Sequence, residues 1–222
     1  MVSTAKKSKI PIGILIYCVC LYIIWTCYHF FVLPQIEKIP NELASSLLDD
    51  GLCKNLIWTL PAVLLIRKYS DELKIKFDEF FLWKKEYWKY ALFLPAFFVY
   101  VMAGVLVNKI PISFSLSIKD AITVLFVGVT EEFVFRGLFL NYTAKKIKNE
   151  DVAIAINAMM FLAIHFPRWI QEGIFVNNIV HLGFLSIIIL SVIFSVIFLK
   201  TKNIVIPIIL HMFWDMLIFG LY

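Results

Sequence analysis

Long apolar runs, each close to the length of a membrane-spanning helix, constrain the fold of this chain more than any other feature. A helical span needs about 20 mostly apolar residues. Hydrophobic residues make up 61% of the 222 residues and charged residues only 17%, whereas soluble domains average roughly 45–50% and about 25%. The sequence therefore predicts an all-α polytopic membrane helical bundle with about seven spans, within a range of about six to eight. The seven runs are 10–32, 52–66, 90–107, 121–140, 152–166, 179–199 and 204–221.

Two of these runs, 52–66 and 152–166, are shorter than a full span. Either their helices continue into the polar residues on both sides, or they do not cross the membrane completely. The sequence leaves both alternatives open.

The distribution of basic residues predicts the orientation, because Lys and Arg accumulate in cytoplasmic loops. With a cytoplasmic N-terminus, 15 Lys and Arg lie on the cytoplasmic side and 5 on the outside, while Arg136 lies within a span. The composition favours a protein of the bacterial plasma membrane. The basic loops are expected to face lipid headgroups, and nothing in the sequence indicates nucleic-acid binding. The cytoplasmic basic residues are Lys6, Lys7 and Lys9, followed by those within 67–89, 145–148 and 200–202.

The largest polar segment, 67–89, mixes basic and acidic residues with aromatic residues at roughly helical spacing. An amphipathic helix lying in the membrane interface fits this pattern. A solvated loop anchored by aromatic side chains fits it equally well.

Charged residues inside the fourth run are the first indication of a functional site. Charge within a membrane span is costly and is usually kept for function or for a buried pair. Arg136 follows Glu132 by four residues, so the two can form an ion pair on one helix face. Glu131 lies about 100° around the helix from Glu132, which predicts an extra, unpaired acid that is available as a base. The alternatives are a buried packing triad and an ion-translocation site.

Histidines on two other runs could join this acid. His165 lies at the end of the fifth run, and His211 precedes Asp215 by four residues in the seventh. That spacing puts an imidazole and a carboxylate on one helix face, where the acid could orient the ring. An interfacial histidine and a helix-packing hydrogen bond are the simpler alternatives. The remaining histidines, His29 and His181, have no such partner and are interpreted as structural.

One carboxylate with two imidazoles can activate water and stabilise an oxyanion. Glu131, His165 and His211 could also hold a divalent metal such as zinc, with one position left open for water. Neither the H-E-x-x-H nor the G-x-S-x-G signature occurs in the sequence.

The ordered set of motifs resembles the CAAX protease and bacteriocin-processing family (CPBP, also called Abi) of intramembrane endopeptidases. The family motifs E-E-x-x-x-R, F-x-x-x-H and H-x-x-x-N correspond here to Glu131 to Arg136, Phe161 to His165, and His211 to Asp215. The resemblance covers 121–222 and so divides one integrated membrane domain into N-terminal spans with a cytoplasmic loop, 1–120, and a catalytic helical part, 121–222.

By position, the resemblance implies that Glu131 activates water and that His165 and His211 are catalytic or stabilise the oxyanion. Asp215 stands where the family usually has Asn, which leaves open whether it orients His211, binds a metal or holds a proton. Glu132 and Arg136 are implied as supporting residues.

The resemblance implies a glutamate-type, or alternatively metal-dependent, endopeptidase acting on a membrane-associated protein or peptide. The substrate could be prenylated or bacteriocin-like, and the active site is expected toward the cytoplasmic half of the membrane. A non-catalytic membrane scaffold or bacteriocin self-immunity protein is the main alternative. An ion-coupled transporter is weaker, because no repeat is visible in the sequence.

Overall fold

The chain folds into helices joined by short connections. The computed structural model describes residues 11–221, and within that range it contains no β-strand. Contiguous helical segments form eight helices: α1 (Ile12–Ile36), α2 (42–68), α3 (Lys85–Val107), α4 (118–146), α5 (Glu150–Gln171), α6 (Phe175–Val180), α7 (Phe184–Thr201) and α8 (Val205–Leu221). The described range leaves out Lys6, Lys7, Lys9 and Ile10, and it also leaves out Tyr222. Part of the predicted orientation and the start of the first run depend on the first four of these residues.

Four helices, α1, α3, α5 and α7, are long and apolar enough to cross a membrane, and α8 is a shorter apolar helix. The predicted all-α membrane bundle is therefore confirmed. The count of seven spans and the cytoplasmic N-terminus stay predictions.

The two short runs continue into their polar flanks, which agrees with the first of the two alternatives. Helix α2 starts ten residues before the run at 52–66, where the Asn41 side chain accepts a hydrogen bond from the Ala44 backbone N–H at 2.9 Å. Helix α5 starts after Asn149, whose side chain accepts from the Asp151 N–H at 3.0 Å. In both cases a capping residue satisfies backbone donors that would otherwise lack a partner.

Helices α2 and α4 contain wider π-helical turns. These lie at Leu47–Cys53 and Asn55–Thr59 in α2 and at Glu132–Leu140 in α4. Turns of this kind occur often at functional sites, and the stretch in α4 carries the Glu132 and Arg136 side chains.

The segment between α2 and α3 is not one amphipathic helix lying in the interface. It forms the short 3₁₀ turns Ser70–Glu72 and Phe77–Phe81, and a third, Lys85–Leu92, opens α3. Phe80 is fully buried and packs edge-on against Phe198, with ring centroids 5.4 Å apart. Burial of this aromatic side chain in the bundle holds the segment as a folded cap.

The connections gather at two opposite ends of the bundle. One of them, which we call the basic end, contains the segments 69–84, 147–149 and 202–204 and the helix ends that adjoin them. Three ion pairs link these segments and helix ends to one another. These pairs are Lys74 with Glu150, Lys146 with Glu72 at 2.5 Å, and Lys202 with Glu79 at 3.0 Å. The other, the cavity end, contains the segments 37–41, 108–117 and 172–183.

Close contact between α4 and α8 brings their polar side chains together. A Cβ added to Gly128 of α4 would lie 2.7 Å from Met212 Cγ and 3.5 Å from the Ile208 carbonyl oxygen of α8. The missing side chain at Gly128 therefore lets α8 approach α4, and His211 lies on the part of α8 that makes this approach.

Candidate active site

A polar cavity of about 570 Å³ lies between α1, α2, α4, α5 and α8. Its walls include Glu131, His165, His211 and Asp215, which are all four of the residues that the sequence predicts as catalytic. Its rim is formed by residues of the cavity end, among them Glu37 and Glu172. The cavity thus connects the buried polar residues with the end of the bundle opposite the basic loops.

Glu131 is buried in the cavity wall, with 7% of its surface exposed. Its Oε1 lies 3.5 Å from Lys54 Nζ, and its Oε2 lies 3.8 Å from His211 Nε2. The expectation of an unpaired acid is therefore wrong, because a lysine from α2 faces it.

Lys54 is the residue of the candidate site that sequence reasoning missed. It is 6% exposed, and its ammonium lies 5.3 Å from the Trp58 ring centroid and 5.6 Å from that of Trp25. Asp50 Oδ1 lies 4.0 Å from Lys54 Nζ. Lys54 lies at the start of the run 52–66, and the predicted orientation counts it among the five basic residues on the outside. The Asp50–Lys54 spacing of four was the available signal of a helical ion pair.

Glu132 connects Arg136 to His211. Its Oε1 accepts a hydrogen bond from Arg136 Nη1 at 2.9 Å and lies 2.9 Å from His211 Nδ1. A carboxylate only accepts, so His211 Nδ1 carries the proton of this hydrogen bond. The predicted Glu132–Arg136 ion pair is present, and its acid also fixes the orientation of the imidazole.

Asp215, which the sequence offers as a residue that could orient His211, faces Nε2 of the ring rather than Nδ1. Its Oδ2 lies 3.6 Å from His211 Nε2, the nitrogen that also faces Glu131. The ring of His211 is thus held by Glu132 on one side and directed toward two carboxylates on the other.

Arg136 is completely buried beneath the cavity. Its guanidinium carbon lies 4.5 Å from the Phe161 ring centroid and 5.4 Å from that of Phe194. Within the described part of the chain, Arg136 Nε and Nη2 have no hydrogen-bond partner. The aromatic faces therefore supply much of the cation's surroundings, and Glu132 is the only anion that Arg136 contacts by a hydrogen bond there.

His165 lies where α5 turns at 164–165, between the segments Glu150–Ala163 and Phe166–Gln171. Its Nδ1–H donates to the Phe161 carbonyl oxygen at 2.7 Å. This bond fixes the tautomer and leaves Nε2 as an acceptor. The turn lets a residue near the end of α5 line the same cavity as Glu131.

The other two histidines differ from each other. His29 is buried at the cavity wall, and its Nδ1 lies 3.2 Å from Gln171 Oε1. His181 is exposed and does not line the cavity.

A divalent metal at Glu131, His165 and His211 is the alternative that the sequence offers. No group of three or more His, Cys, Asp or Glu side chains within residues 11–221 is placed to hold a metal ion. The cation that faces Glu131 is the Lys54 ammonium. The divalent metal, zinc in particular, at Glu131, His165 and His211 stays a prediction.

A helical membrane bundle with a buried acid and two imidazoles in one cavity is the architecture expected of an intramembrane hydrolase. The family model described as type II CAAX prenyl endopeptidase Rce1-like matches residues 93–217, more than half of the chain. The chain belongs to this family, which confirms the resemblance found in the sequence and implies protease activity. No curated protein matches the chain.

The family match contains Glu131, His165, His211 and Asp215 but not the N-terminal helices. Lys54 and its aromatic neighbours Trp25 and Trp58 therefore lie outside the matched region. The family match covers the part of the cavity wall formed by α4, α5 and α8, and the structure shows that α1 and α2 form the rest of it.

Proposed function

We propose that this chain is an intramembrane endopeptidase that hydrolyses a peptide bond with a water molecule activated by Glu131. The observation that carries the proposal is the position of this buried carboxylate. It lines an open cavity and faces both the His211 imidazole and the Lys54 ammonium.

In the proposed reaction, the Glu131 carboxylate accepts a proton from water while the water oxygen bonds to the peptide carbonyl carbon. The carbonyl π bond breaks and gives a tetrahedral intermediate with a negatively charged oxygen. Glu131 then returns the proton to the amide nitrogen, and the C–N bond breaks. The products are a new carboxyl group and a new amine, and Glu131 is again a carboxylate.

Lys54 and His211 contribute electrostatics to this reaction. The Lys54 ammonium balances the Glu131 charge in a place where water is scarce, which stabilises the acid as a carboxylate. His211 is held with Nε2 toward the cavity by its bond to Glu132, so it need not reorient during the reaction.

The oxyanion needs a donor that already points into the cavity. His211 and His165 are the imidazoles of the wall, and each has its ring fixed by an Nδ1 hydrogen bond. We assign oxyanion stabilisation to this pair in its imidazolium form, because a neutral ring with its proton on Nδ1 has only an acceptor at Nε2. Asp215, 3.6 Å from His211 Nε2, supplies negative charge that favours the imidazolium form of His211 before the reaction begins.

The substrate in this proposal is a membrane-associated protein or peptide. The site lies within a bundle of apolar helices, so a peptide already held at the membrane reaches it without leaving the lipid surface.

Replacement of Glu131 tests the proposal. Membranes containing the wild type, Glu131→Gln or Glu131→Ala are compared for new peptide termini by mass spectrometry, with Asp151→Asn at the basic end as the matched control. We expect both Glu131 variants to lose about 10²–10⁴ of the rate at equal abundance, whereas Asp151→Asn keeps it. Full processing in both Glu131 variants would refute the proposal, and loss of the folded protein in both would favour a structural role.

A further inference from the structure

Lys54 faces two buried carboxylates, and only one of them has a part in the proposed reaction. Its Nζ lies 3.5 Å from Glu131 Oε1 and 4.0 Å from Asp50 Oδ1. Asp50 is buried and lines the same cavity as Glu131. A buried carboxylate is costly unless a positive charge and hydrogen bonds compensate it. Asp50 is therefore a buried charge beside the site that the proposed reaction does not use.

Hydrogen bonds between α2 and α4 fix the side chain of Asp50. Its Oδ2 accepts a hydrogen bond at 2.7 Å from the hydroxyl of Thr123, which lies on α4. On the other side of Lys54, the Thr59 hydroxyl of α2 lies 3.1 Å from Thr130 Oγ1 of α4. These contacts hold the register of α2 against α4 on both sides of Lys54. The Asp50 carboxylate is thus kept beside the ammonium.

The backbone at Asp50 is held as well. Asp50 lies in the π-helical turn Leu47–Cys53, and Lys54 follows this turn directly. The Asn55 side-chain amide donates to the carbonyl oxygens of Asp50 at 2.9 Å and of Gly51 at 3.0 Å. Wide turns of this kind occur often at functional sites. Here the turn presents an acid and a lysine, four residues apart, to the same cavity.

The distance from Lys54 to Glu131 is long for a direct ion pair. An ammonium and a carboxylate that share a charge-assisted hydrogen bond lie about 2.7–2.9 Å apart. At 3.5 Å from Glu131 and 4.0 Å from Asp50, the ammonium lies between the two acids. A cation bound closely to one carboxylate makes that carboxylate a weaker base. A cation shared with Asp50 still balances the charge of Glu131 but leaves it able to accept a proton.

We infer that Asp50 is a positioning residue that acts on the reaction through Lys54. It attracts the ammonium away from Glu131, so that Glu131 remains basic enough to take a proton from water. This inference rests on the proposed function for the reaction itself. At an effective dielectric constant of about 20, closing the Lys54–Glu131 contact to about 2.8 Å would strengthen the attraction enough for a roughly tenfold change in rate.

Steady-state kinetics of Asp50→Asn, on the peptide found by the terminus comparison, test this inference. The amide keeps the shape and an oxygen that can accept from Thr123, but it carries no charge. We expect about a tenfold lower kcat and a KM within about twofold of the wild-type value. Asp50→Glu keeps the charge and should recover most of kcat. An unchanged kcat in Asp50→Asn, a loss confined to KM, or equal kcat values for the two variants would overturn the inference.

Asp49 provides the matched control, because it is the neighbouring acid on α2 and also lines the cavity. Its Oδ1 accepts a hydrogen bond from the Tyr28 hydroxyl of α1 at 2.6 Å. We expect Asp49→Asn to keep kcat within about twofold of the wild-type value. A loss of kcat as large as that of Asp50→Asn would contradict a specific role of Asp50.

The same substitution in a Lys54→Met background shows whether Asp50 acts through Lys54. Without the ammonium, Asp50→Asn should cause no further loss of kcat. An equal loss in both backgrounds would overturn the inference. If Asp50→Asn does not accumulate as folded protein, Thr123→Val takes its place, because it removes only the hydroxyl that fixes Asp50. We expect a several-fold loss of kcat from Thr123→Val, and an unchanged kcat would overturn the inference.

Thermal unfolding in detergent repeats this cycle without a substrate. We expect Asp50→Asn to lower the unfolding midpoint when Lys54 is present, and not in the Lys54→Met background. Equal shifts in both backgrounds would overturn the inference. A wild type that cleaves no peptide would contradict the proposed function alone, since the coupling between Asp50 and Lys54 is measured here independently of cleavage.

Discussion

At the basic end, charged side chains lie on the outside of the bundle and pair across loops, as Lys202 does with Glu79. At the cavity, charged side chains lie inside, and Glu132, Arg136 and Lys54 are almost completely buried. A pair surrounded by water is worth little, whereas a buried charge without its partner is very costly. The basic end thus uses charge for topology and loop packing. The cavity holds charge where apolar packing would have been more stable, which is the property expected of a functional site.

Breaking the buried pair should have the largest effect on stability. Glu132→Gln leaves the Arg136 guanidinium without its anion, which costs about 3–5 kcal/mol. It also removes the carboxylate that orients His211. We expect a strongly lowered midpoint of thermal unfolding in detergent and no proteolysis. Glu132→Gln combined with Arg136→Met should recover part of the stability but not the activity; an unaltered midpoint in the single variant would contradict the assignment of this pair.

Removing the cation outside the family match should have the next largest effect. Lys54→Met removes the ammonium that faces Glu131 and leaves the His211 imidazole, 3.8 Å away, as its neighbouring polar group. We expect about a 10²-fold loss of kcat/KM, measured on a peptide found by the terminus comparison. Lys54→Arg should restore part of the rate, because the charge returns with a different shape. If Lys54→Met cleaves as fast as the wild type, Lys54 has no part in the site.

Asp215→Asn should have a moderate effect, since Asn is the residue that the resembling family usually has at this position. The His211 ring stays held by Glu132, and only the second carboxylate near Nε2 is lost. We expect about a tenfold loss of kcat/KM, equivalent to roughly 1.4 kcal/mol, with an unchanged unfolding midpoint. A loss as large as that of Glu132→Gln would show that Asp215, rather than Glu132, orients the ring.

Pairs at the basic end should have the smallest effects. Lys202→Gln removes an exposed pair worth about 0–1 kcal/mol and should leave cleavage unchanged.

Bonding to the Lys76 backbone N–H and to Lys202 lowers the pKa of Glu79 below its usual value. The stabilisation by Glu79 is therefore fully present above the unfolded pKa and is lost as the pH falls through the lower folded pKa. The unfolding midpoint of Glu79→Gln should therefore depend less on pH in the acid range than the midpoint of the wild type does. An identical pH dependence in both proteins would contradict this role of the pair.

The difference between the two regions also explains what the sequence could predict. Length and hydropathy of the runs predict the helices, and the four-residue spacing of Glu132 and Arg136 predicts their ion pair, because both are local properties of one helix. The order of the three motifs likewise predicts that Glu131, His165 and His211 line one cavity. These features depend on segments whose periodicity is strong.

The contacts between helices were harder to predict. Lys54 reaches Glu131 because α2 packs beside α4. The partner of His211 Nδ1 depends on how α8 rotates against α4, and the sequence alone offered Asp215, its neighbour on the same helix. Helix rotation and register arise from packing, and a single sequence does not determine them.

Hydrolysis in oxygen-18 water tests the central claim most directly. Purified wild type and Glu131→Gln are incubated with the identified peptide in labelled water, and the new carboxyl terminus is examined by mass spectrometry. The mechanism predicts one oxygen-18 atom in the new carboxyl group of the wild-type product and no product above background from Glu131→Gln. Labelled product formed by Glu131→Gln at the wild-type rate would contradict it.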